Sequence, residues 1–472
     1  MFKLTVAAAI GLVAAIWSGR SAAQEAAPSA RSAVSQSATA EDSLSGSVRN
    51  IDQRVKILER LREVDGESNQ KKTEESTVVT ANKDGFVLRA PDTSYLLRVR
   101  YEGHFDGRYF VGSDTFTAQR QPILIVRRAR PIIEARLPGP FFFRIMADLA
   151  GGKIDVPDAY VESALDPRIG LRIGKFKSPF SLEVLQSTAL VPFLELSLSS
   201  QLAPNRDIGG QLQGDFGNGL LSYAVGVFDG VADGSSLDAD WNRSKDIAGR
   251  LFTQPFRKFE PLKGFGVGGS FTYGNHSDLR KWASGAVPAS VPGFKTAGQE
   301  SFFKYRDTTF GSGNQSRYAV QGHYYIGPFG LIGEYINSSS EITNINKGKS
   351  VEKTISNSGW NVATIYALTG EPNGYQGLKP FRNFDPGKGQ WGAFELAARI
   401  SELQIDNNAF PVFADSTKSA KKAIDYTGGI NWHLNRNVKV LLNYTQTLFT
   451  GGASKGNVPD EKLFAGRVQL VF

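Results

Sequence analysis

Arginines at alternating positions are the feature of this sequence whose chemistry is clearest. A spacing of two residues places side chains on one face of a β-strand. Guanidinium groups hold oxyanions through two parallel hydrogen bonds and stay charged at any relevant pH. A row of them therefore attracts anions, and six residues near the start of the folded region fit such a row: Arg98, Arg100, Arg128, Arg130, Arg136 and Arg144.

Carboxylates on the same strand faces leave a second interpretation open. Glu102, Asp106, Glu134 and Asp148 share the alternation of the arginines. If these carboxylates pair with the guanidinium groups, the row only stiffens the wall that carries it. The spacing alone does not decide between an anion-attracting field and a wall of ion pairs.

Alternation of apolar and polar residues predicts the elements that hold these arginines. Leu97 and Val99 alternate with Arg98 and Arg100, and residues 464–472 alternate in the same way up to a terminal aromatic. The last segment alone could equally be the edge of a soluble sheet. Across residues 95–472 the pattern predicts sixteen strands. Because unpaired charges cannot face a dry core, we expect an all-β fold, a 16-stranded antiparallel transmembrane β-barrel around a water-filled lumen.

The connections between the predicted strands alternate between tight turns and long polar loops, as in outer-membrane barrels. Two connections on the short side, 255–264 and 369–390, are longer than this pattern requires. The long side is predicted to comprise the loops 111–121, 150–157, 177–207, 230–245, 276–314, 338–355, 404–420 and 448–463.

Loop 177–207 is too apolar for a free external loop, since it contains Phe180, Leu182 and Val191. We expect it to fold into the lumen and narrow it, packed against the small inward residues Ser222, Ala224 and Gly226. The alternative is a loop at a contact between subunits.

The segments before the barrel predict export. Residues 1–23 have a positive start, a short apolar run and small residues at a cleavage site, which is typical of a signal peptide. The chain has no cysteine, which suits an oxidising compartment. Residues 24–43 are predicted to be a disordered spacer, and 65–94 a linker. Between them, 44–64 are predicted to form a short amphipathic helix or coiled coil, with a heptad seam of Leu44, Val48, Ile51, Val55 and Leu58.

Other chemistries find little support in the sequence. The run Gly264 to Gly269 matches G-x-G-x-x-G, but it opens a predicted strand with no helix behind it. The four histidines have no metal-ligand spacing. We therefore predict no catalytic residue, no cofactor, no metal and no nucleic-acid partner. The formal charge of +8 is too modest to identify a partner by itself.

Several segments together resemble the phosphate-selective porin O/P family, over nearly all of 95–472. They are Arg127-Arg128-Ala129-Arg130, Asp158-Ala159-Tyr160-Val161, Gly174-Lys175-Phe176, Leu368-Thr369-Gly370-Glu371-Pro372, Gly392-Ala393-Phe394-Glu395-Leu396 and Val438-Lys439-Val440. The resemblance implies a trimeric 16-stranded porin of the bacterial outer membrane. It also implies a third loop folded into the channel and a ladder of arginines that draws anions in.

Only some of the residues that the family has along its anion path are present in this chain. Arg100, Arg127, Arg128 and Asp158 match positions associated with the anion path. Lys177 stands where the family has a constriction tyrosine, Val184 where it has the lysine associated with phosphate, and Leu196 where it has a third-loop arginine.

From these matches and losses we expect preference for anions over cations without tight phosphate binding. Val184→Lys is expected to strengthen phosphate block. The predicted anion path comprises Arg98, Arg100, Arg127, Arg128, Arg130, Arg144, Asp158, Lys175 and Lys177.

The implied partners are outer-membrane lipid, small anions such as phosphate or polyphosphate, and two further copies of the chain. A weakly selective general diffusion porin and a structural or adhesive barrel are the alternatives.

Overall fold

The computed structural model describes residues 51–65, 77–82, 85–112, 121–152, 154–236, 244–277 and 291–472. The chain divides into two compact units, 1–74 and 75–472. In the first unit, residues 51–65 are helical (α1), and Ile51, Val55 and Leu58 of the predicted seam are exposed. The predicted signal peptide, the predicted spacer and the first residues of the predicted helix lie outside the described residues.

The second unit is a closed β-barrel. Sixteen consecutive barrel strands pair antiparallel with their neighbours, and the last strand pairs with the first to close the ring. The barrel strands are β3 (Leu96–Phe110), β4 (Ile123–Arg136), β5 (Phe141–Asp148), β6 (Asp155–Asp166), β7 (Ile169–Lys177), β8 (Arg206–Phe216), β9 (Leu221–Phe228), β10 (Asp246–Thr253), β11 (Phe265–Asn275), β14 (Thr309–Ile326), β15 (Phe329–Asn346), β16 (Lys349–Ala367), β17 (Ala393–Gln404), β18 (Ala420–His433), β19 (Val438–Gly451) and β20 (Glu461–Val471).

Two short hairpins accompany the barrel. β1 (Val78–Asn82) and β2 (Gly85–Arg89) lie within the predicted linker 65–94, and β2 pairs with the first residues of β3. The linker prediction therefore missed a hairpin, whose strands are only five residues each. The second hairpin, β12 (Phe294–Lys295) and β13 (Ser301–Phe303), lies in the predicted external loop 276–314. A four-residue helix, α2 (Leu182–Leu185), lies between β7 and β8.

The prediction of sixteen strands is confirmed, and one long external loop is corrected. Residues 338–355 are not a loop, because β15 continues to Asn346 and β16 begins at Lys349, with a two-residue turn between them. The paired stretches are rich in Ser, Thr and Asn. They lack the apolar alternation that marks a lipid-facing strand, and cross-strand backbone hydrogen bonds hold them together instead.

The faces of the strands follow the predicted alternation. On β3, Phe105 and Tyr109 are exposed on the outside, whereas Glu102, His104 and Asp106 are buried on the inside. At the closing seam, Phe472 exchanges backbone hydrogen bonds with Tyr101, and its ring lies 5.9 Å from that of Phe86. Among the described residues, no helix combines the length and the apolar character needed to cross a membrane.

The inside of the barrel has two unlike sides. The inward side chains of β14–β20, which we call the packed wall, contact L3 (178–205) and two segments of the predicted external loops, 291–308 and 405–419. Phe180 and Leu198 of L3, Phe303 and Phe413 join the wall residue Leu403 in one apolar cluster. The inward side chains of β3–β10, the open wall, border the cavities described below. On the packed wall the lumen is therefore filled by side chains of L3 and of two segments that the sequence predicted as external loops.

Candidate functional site

L3 crosses the barrel from one wall to the other. It leaves from β7, and β17 lies eight strands further round a ring of sixteen, on the opposite side. Arg399 on β17 nevertheless donates to the backbone oxygen of Glu195 in L3 at 3.0 Å and to the carboxylate of Glu183 at 3.2 Å. Its guanidinium also lies 4.5 Å from the ring centre of Phe193. L3 therefore divides the lumen and narrows the passage beside it.

Polar anchors fix L3 to the packed wall. The carboxylate of Glu334 accepts from the hydroxyl of Ser181 at 2.7 Å and from the backbone N–H of Leu182 at 2.9 Å. Further along, the backbone N–H of Leu198 donates to Ser401 at 3.0 Å. Since buried polar groups need partners, these bonds complement the apolar packing of L3 and hold it in one position.

The expected contact of L3 with Ser222, Ala224 and Gly226 is corrected. Ser222 and Ala224 border a cavity of about 370 Å³ instead. The physical reason is that the large apolar side chains of L3 find apolar partners on the packed wall, whereas the opposite wall is charged.

A second cavity, of about 210 Å³, lies between L3 and the open wall, and both cavities border Arg172, Lys177 and Leu185. L3 contributes Leu185, Ser187 and Thr188 to its lining. The wall contributes five cationic side chains, Arg130, Arg144, Arg172, Lys177 and Arg206, but only two carboxylates, those of Glu102 and Asp158. The narrow part of the passage thus has an excess of positive charge.

Ion pairs engage most of the arginines on the open wall. Arg144 reaches Glu134 at 2.6 Å and Asp158 at 3.2 Å, and Arg206 reaches the other oxygen of Asp158 at 3.0 Å. Arg98 and Arg100 lie 3.5 Å and 3.4 Å from Glu134, and Arg130 lies 2.7 Å from Asp148. Both interpretations of the arginine row therefore hold in part, because these side chains pair with carboxylates and yet outnumber the carboxylates that line the 210 Å³ cavity itself.

Arg127 and Arg128 stand at a β-bulge. The register passes from His104 opposite Arg128 to Phe105 opposite Val126, which leaves Arg127 as the extra residue. Arg127 forms a two-point ion pair with Glu195 of L3, at 2.8 and 3.1 Å. Arg128 is buried and its terminal nitrogen lies 3.1 Å from Nδ1 of His104. The bulge thus binds L3 to the open wall as well.

Glu195 is the main anchor of L3 on this side. Its carboxylate also accepts from Arg108 at 2.6 Å. Burial by itself raises the pKa of Glu195 and is the largest single influence, but the neighbouring guanidinium groups of Arg127 and Arg108, together with that of Arg128, outweigh it, so the pKa of Glu195 is held well below its usual range. L3 therefore carries a permanent anion that is compensated by two guanidinium groups.

Four further predicted positions separate into one that borders the passage and three that do not. Lys177 borders both cavities, and its ammonium donates to the backbone oxygen of Gln186 at 2.7 Å. Lys175 is buried and borders neither cavity. Val184 and Leu196 pack in or against the apolar cluster. A lysine in place of Val184 would lie among Phe180 and its apolar neighbours, so the expected gain in phosphate block is withdrawn.

Three arginines at the passage were missed by the sequence analysis. Arg172, Arg206 and Arg250 border the cavities. Two of them follow the same alternation as the first group: Arg172 lies between Leu171 and Ile173, and Arg250 between Gly249 and Leu251. Reading the alternation along every strand, rather than the first three, would have found Arg172 and Arg250. Arg206 stands at a strand end, where alternation gives no signal.

Among the described residues, no cluster of three or more histidine or acidic side chains could hold a metal ion. The side chains that line the 210 Å³ cavity offer hydrogen bonding and charge to a passing solute.

Comparisons with known proteins agree with this geometry. The family model for phosphate-selective porin O and P matches residues 98–472. The fold is similar to the outer membrane channel DcaP of Acinetobacter baumannii, with a TM-score of 0.52 and 9% identity over 80% of this chain and 98% of that one. OmpT, an outer membrane protein of Vibrio cholerae, gives a TM-score of 0.50 and 10% identity over the same shares. A search of curated proteins found no significant match. The chain belongs to the phosphate-selective porin O and P family, and it is an outer-membrane porin of bacteria.

Proposed function

We propose that this porin lets small anions diffuse passively through the passage between L3 and the open wall. The observation that carries the proposal is the lining of the 210 Å³ cavity, in which five cationic side chains face two carboxylates. A confined lumen with walls of low dielectric concentrates such a charge excess into a field that favours anions. Phosphate is the substrate that the family description suggests.

Binding of the anion is proposed to be weak. Most guanidinium groups at the passage already hold a carboxylate, so a passing anion competes with Glu134, Asp148 or Asp158 for them. Several shallow sites in a row suit conduction, because an ion must leave as readily as it enters. The same pairing favours the second candidate, a general diffusion porin of weak selectivity, over a phosphate-specific channel.

Purified protein in planar bilayers tests the proposal. We expect open channels whose reversal potential in a potassium chloride gradient has the sign of chloride selectivity. Replacing chloride by phosphate should lower the current without complete block. A protein that inserts but does not conduct would favour a structural or adhesive barrel, and a reversal potential near zero would favour general diffusion.

Two further copies of the chain are proposed as partners, in a homotrimer as the family resemblance implies. Support comes from an apolar groove of about 910 Å³ on the outside of the barrel. Gly107 and Gly466 are directly paired across β3 and β20 in this groove, and small residues allow close approach between membrane proteins.

Deletion of residues 44–61 tests how the copies assemble. We expect trimers to persist, because two marginal heptads contribute less than contacts between barrels. The measurement is the mass of the detergent-solubilised protein with and without the deletion. Monomers after deletion would mean that the helix is the assembly element.

A further inference from the structure

Arg250 on β10 is the arginine of the passage whose surroundings differ most from those of its neighbours. It borders the 370 Å³ cavity at the end of the barrel that carries the short turns. Among the described residues, no carboxylate oxygen lies within ion-pair distance of its guanidinium, and its two terminal nitrogens have no hydrogen-bond partner. Its Nε atom alone is bonded, to the side-chain oxygen of Gln321 at 3.0 Å.

The guanidinium is held in place although, within the described part of the chain, its terminal nitrogens have no hydrogen-bond partner. Its central carbon lies 4.7 Å from the ring centre of Phe252, an arrangement in which charge and ring attract each other. Gln321 is fixed in turn, since its amide nitrogen donates to the backbone oxygen of Phe180 at 2.8 Å and to the hydroxyl of Ser270 at 3.2 Å. The amide oxygen of Gln321 therefore faces Nε of Arg250, and this anchor does not use the two terminal nitrogens.

The carboxylates around this cavity have other partners. Glu162 accepts two bonds from Arg172, at 2.9 and 2.6 Å. Asp215 accepts from the hydroxyl of Ser222 at 2.8 Å and from the backbone N–H of Gly219. Asp166 pairs with Arg168 at 2.8 Å. Glu334, on the neighbouring part of the wall, is engaged by Ser181 and Leu182 of L3.

We infer that Arg250 is an oxyanion-binding subsite on the periplasmic side of the constriction. An anion that has passed Arg144 and Arg206 meets Arg172 next, because Arg172 borders both cavities, and then the open fork of Arg250. The ligand class is a small oxyanion that offers two oxygens to one guanidinium, such as a phosphate or a carboxylate. The inference rests on the proposed anion path and adds a step to it.

Electrophysiology on the intact protein tests this assignment with three variants. Arg250→Gln removes the charge and the fork. Arg250→Lys keeps a charge but replaces the fork by a point donor that Gln321 and Phe252 no longer orient. Arg306→Gln is the matched control, because Arg306 pairs with Asp415 in an external segment. For each protein, the chloride-gradient reversal potential and the reduction of chloride current by inorganic phosphate are measured.

Arg250→Gln should lower the anion-to-cation permeability ratio about twofold or more, as one uncompensated charge leaves a confined lumen. It should also weaken the effect of phosphate. Arg250→Lys should keep the permeability ratio and lose the phosphate effect, and Arg306→Gln should change neither. If Arg250→Gln matches wild type in both measurements, or if Arg250→Lys keeps the phosphate effect, the subsite does not exist.

Gln321→Glu provides a second route that keeps Arg250 in place. It sets a carboxylate against Nε of Arg250 and should reproduce the loss of anion preference. An unchanged permeability ratio in correctly folded Gln321→Glu would also overturn the subsite. A wild-type channel without anion preference would overturn the proposed function itself, whereas an anion-selective wild type with an unaffected Arg250→Gln overturns only this subsite.

Discussion

Both walls of the barrel interior are built from antiparallel β-strands, but the side chains and loops that lie against them differ. The open wall, β3–β10, holds arginines in ion pairs around two cavities, whereas the packed wall, β14–β20, holds L3 and two external segments in an apolar cluster. The difference teaches that a sixteen-stranded ring fixes only the outline of a channel. Under the proposed function, the loops that fold inward decide which half of the ring conducts, and the charge of the remaining half decides what it conducts.

The packed wall is where a single substitution should have the largest effect. Arg399→Ala removes the charge that holds Glu183 and the backbone of Glu195, and it leaves the buried carboxylates of Glu183 and Asp425 without a cationic partner. Loss of one member of a buried ion pair costs about 3–5 kcal/mol. We expect L3 to loosen, the single-channel conductance to rise and the thermal unfolding midpoint to fall.

Arg306→Ala serves as the control for Arg399→Ala, since Arg306 lies in an external segment and is far more exposed. Equal conductance and equal thermal stability of the two variants would mean that Arg399 does not hold L3 in place.

A substitution on the open wall should change the affinity for anions rather than the stability of the protein. Asp158 occupies Arg144 and Arg206 with its own carboxylate. Asp158→Asn keeps the shape and removes the competing anion, so both guanidinium groups gain capacity for a passing oxyanion. We expect phosphate to reduce the chloride current at a concentration about tenfold lower, since hydrogen bonds to charged groups contribute roughly 1.5–3 kcal/mol.

Asp415→Asn is the matched control for Asp158→Asn, because Asp415 pairs with Arg306 and neither residue borders the two cavities of the passage. Unchanged sensitivity to phosphate in Asp158→Asn would show that the internal carboxylates do not limit anion binding.

The ion pairs of Glu195, which join L3 to the open wall, should be insensitive to mild acid. This is the smallest effect that we expect. Because the pKa of Glu195 is held below its usual value of 4.5, its contribution to stability is fully present above that value and is lost only as the pH falls further. The part of the conductance and of the thermal stability that depends on Glu195 should therefore change little between about pH 7 and about pH 5. Glu195→Gln gives the reference for a neutral side chain. If wild type came to behave like Glu195→Gln within this range, the carboxylate would be protonating early and the assigned ion pair with Arg127 would be absent.

The open wall could be predicted from the sequence much better than the packed wall. Alternation around Arg98, Arg100, Arg130 and Arg144 is a local pattern, and it survives in the structure because each strand has one lipid face and one inner face. The excess of charge at the narrow point could not be predicted, since it depends on Arg206 at a strand end and on which carboxylates reach which arginines.

The packed wall depends on contacts between residues distant in the chain. Phe303 and Phe413 lie in segments that the sequence predicts as polar external loops. Their partner Phe180 lies more than a hundred residues away from either. A few aromatic residues in a polar loop do not indicate whether the loop points outward or folds back. Val184 illustrates the consequence: the family position was identified from sequence, but its apolar surroundings were not.

The most direct test of the division into two walls is the accessibility of single cysteines, because the chain contains none of its own. Ala224 on β9 borders the 370 Å³ cavity, and Ala363 on β16 is buried against Val191 and Phe193 of L3. A negatively charged thiol reagent should modify Ala224→Cys in open channels and reduce their current, while Ala363→Cys stays unmodified until the protein is denatured. If Ala363→Cys were modified rapidly with loss of current and Ala224→Cys were not modified, the conducting path would lie along the packed wall.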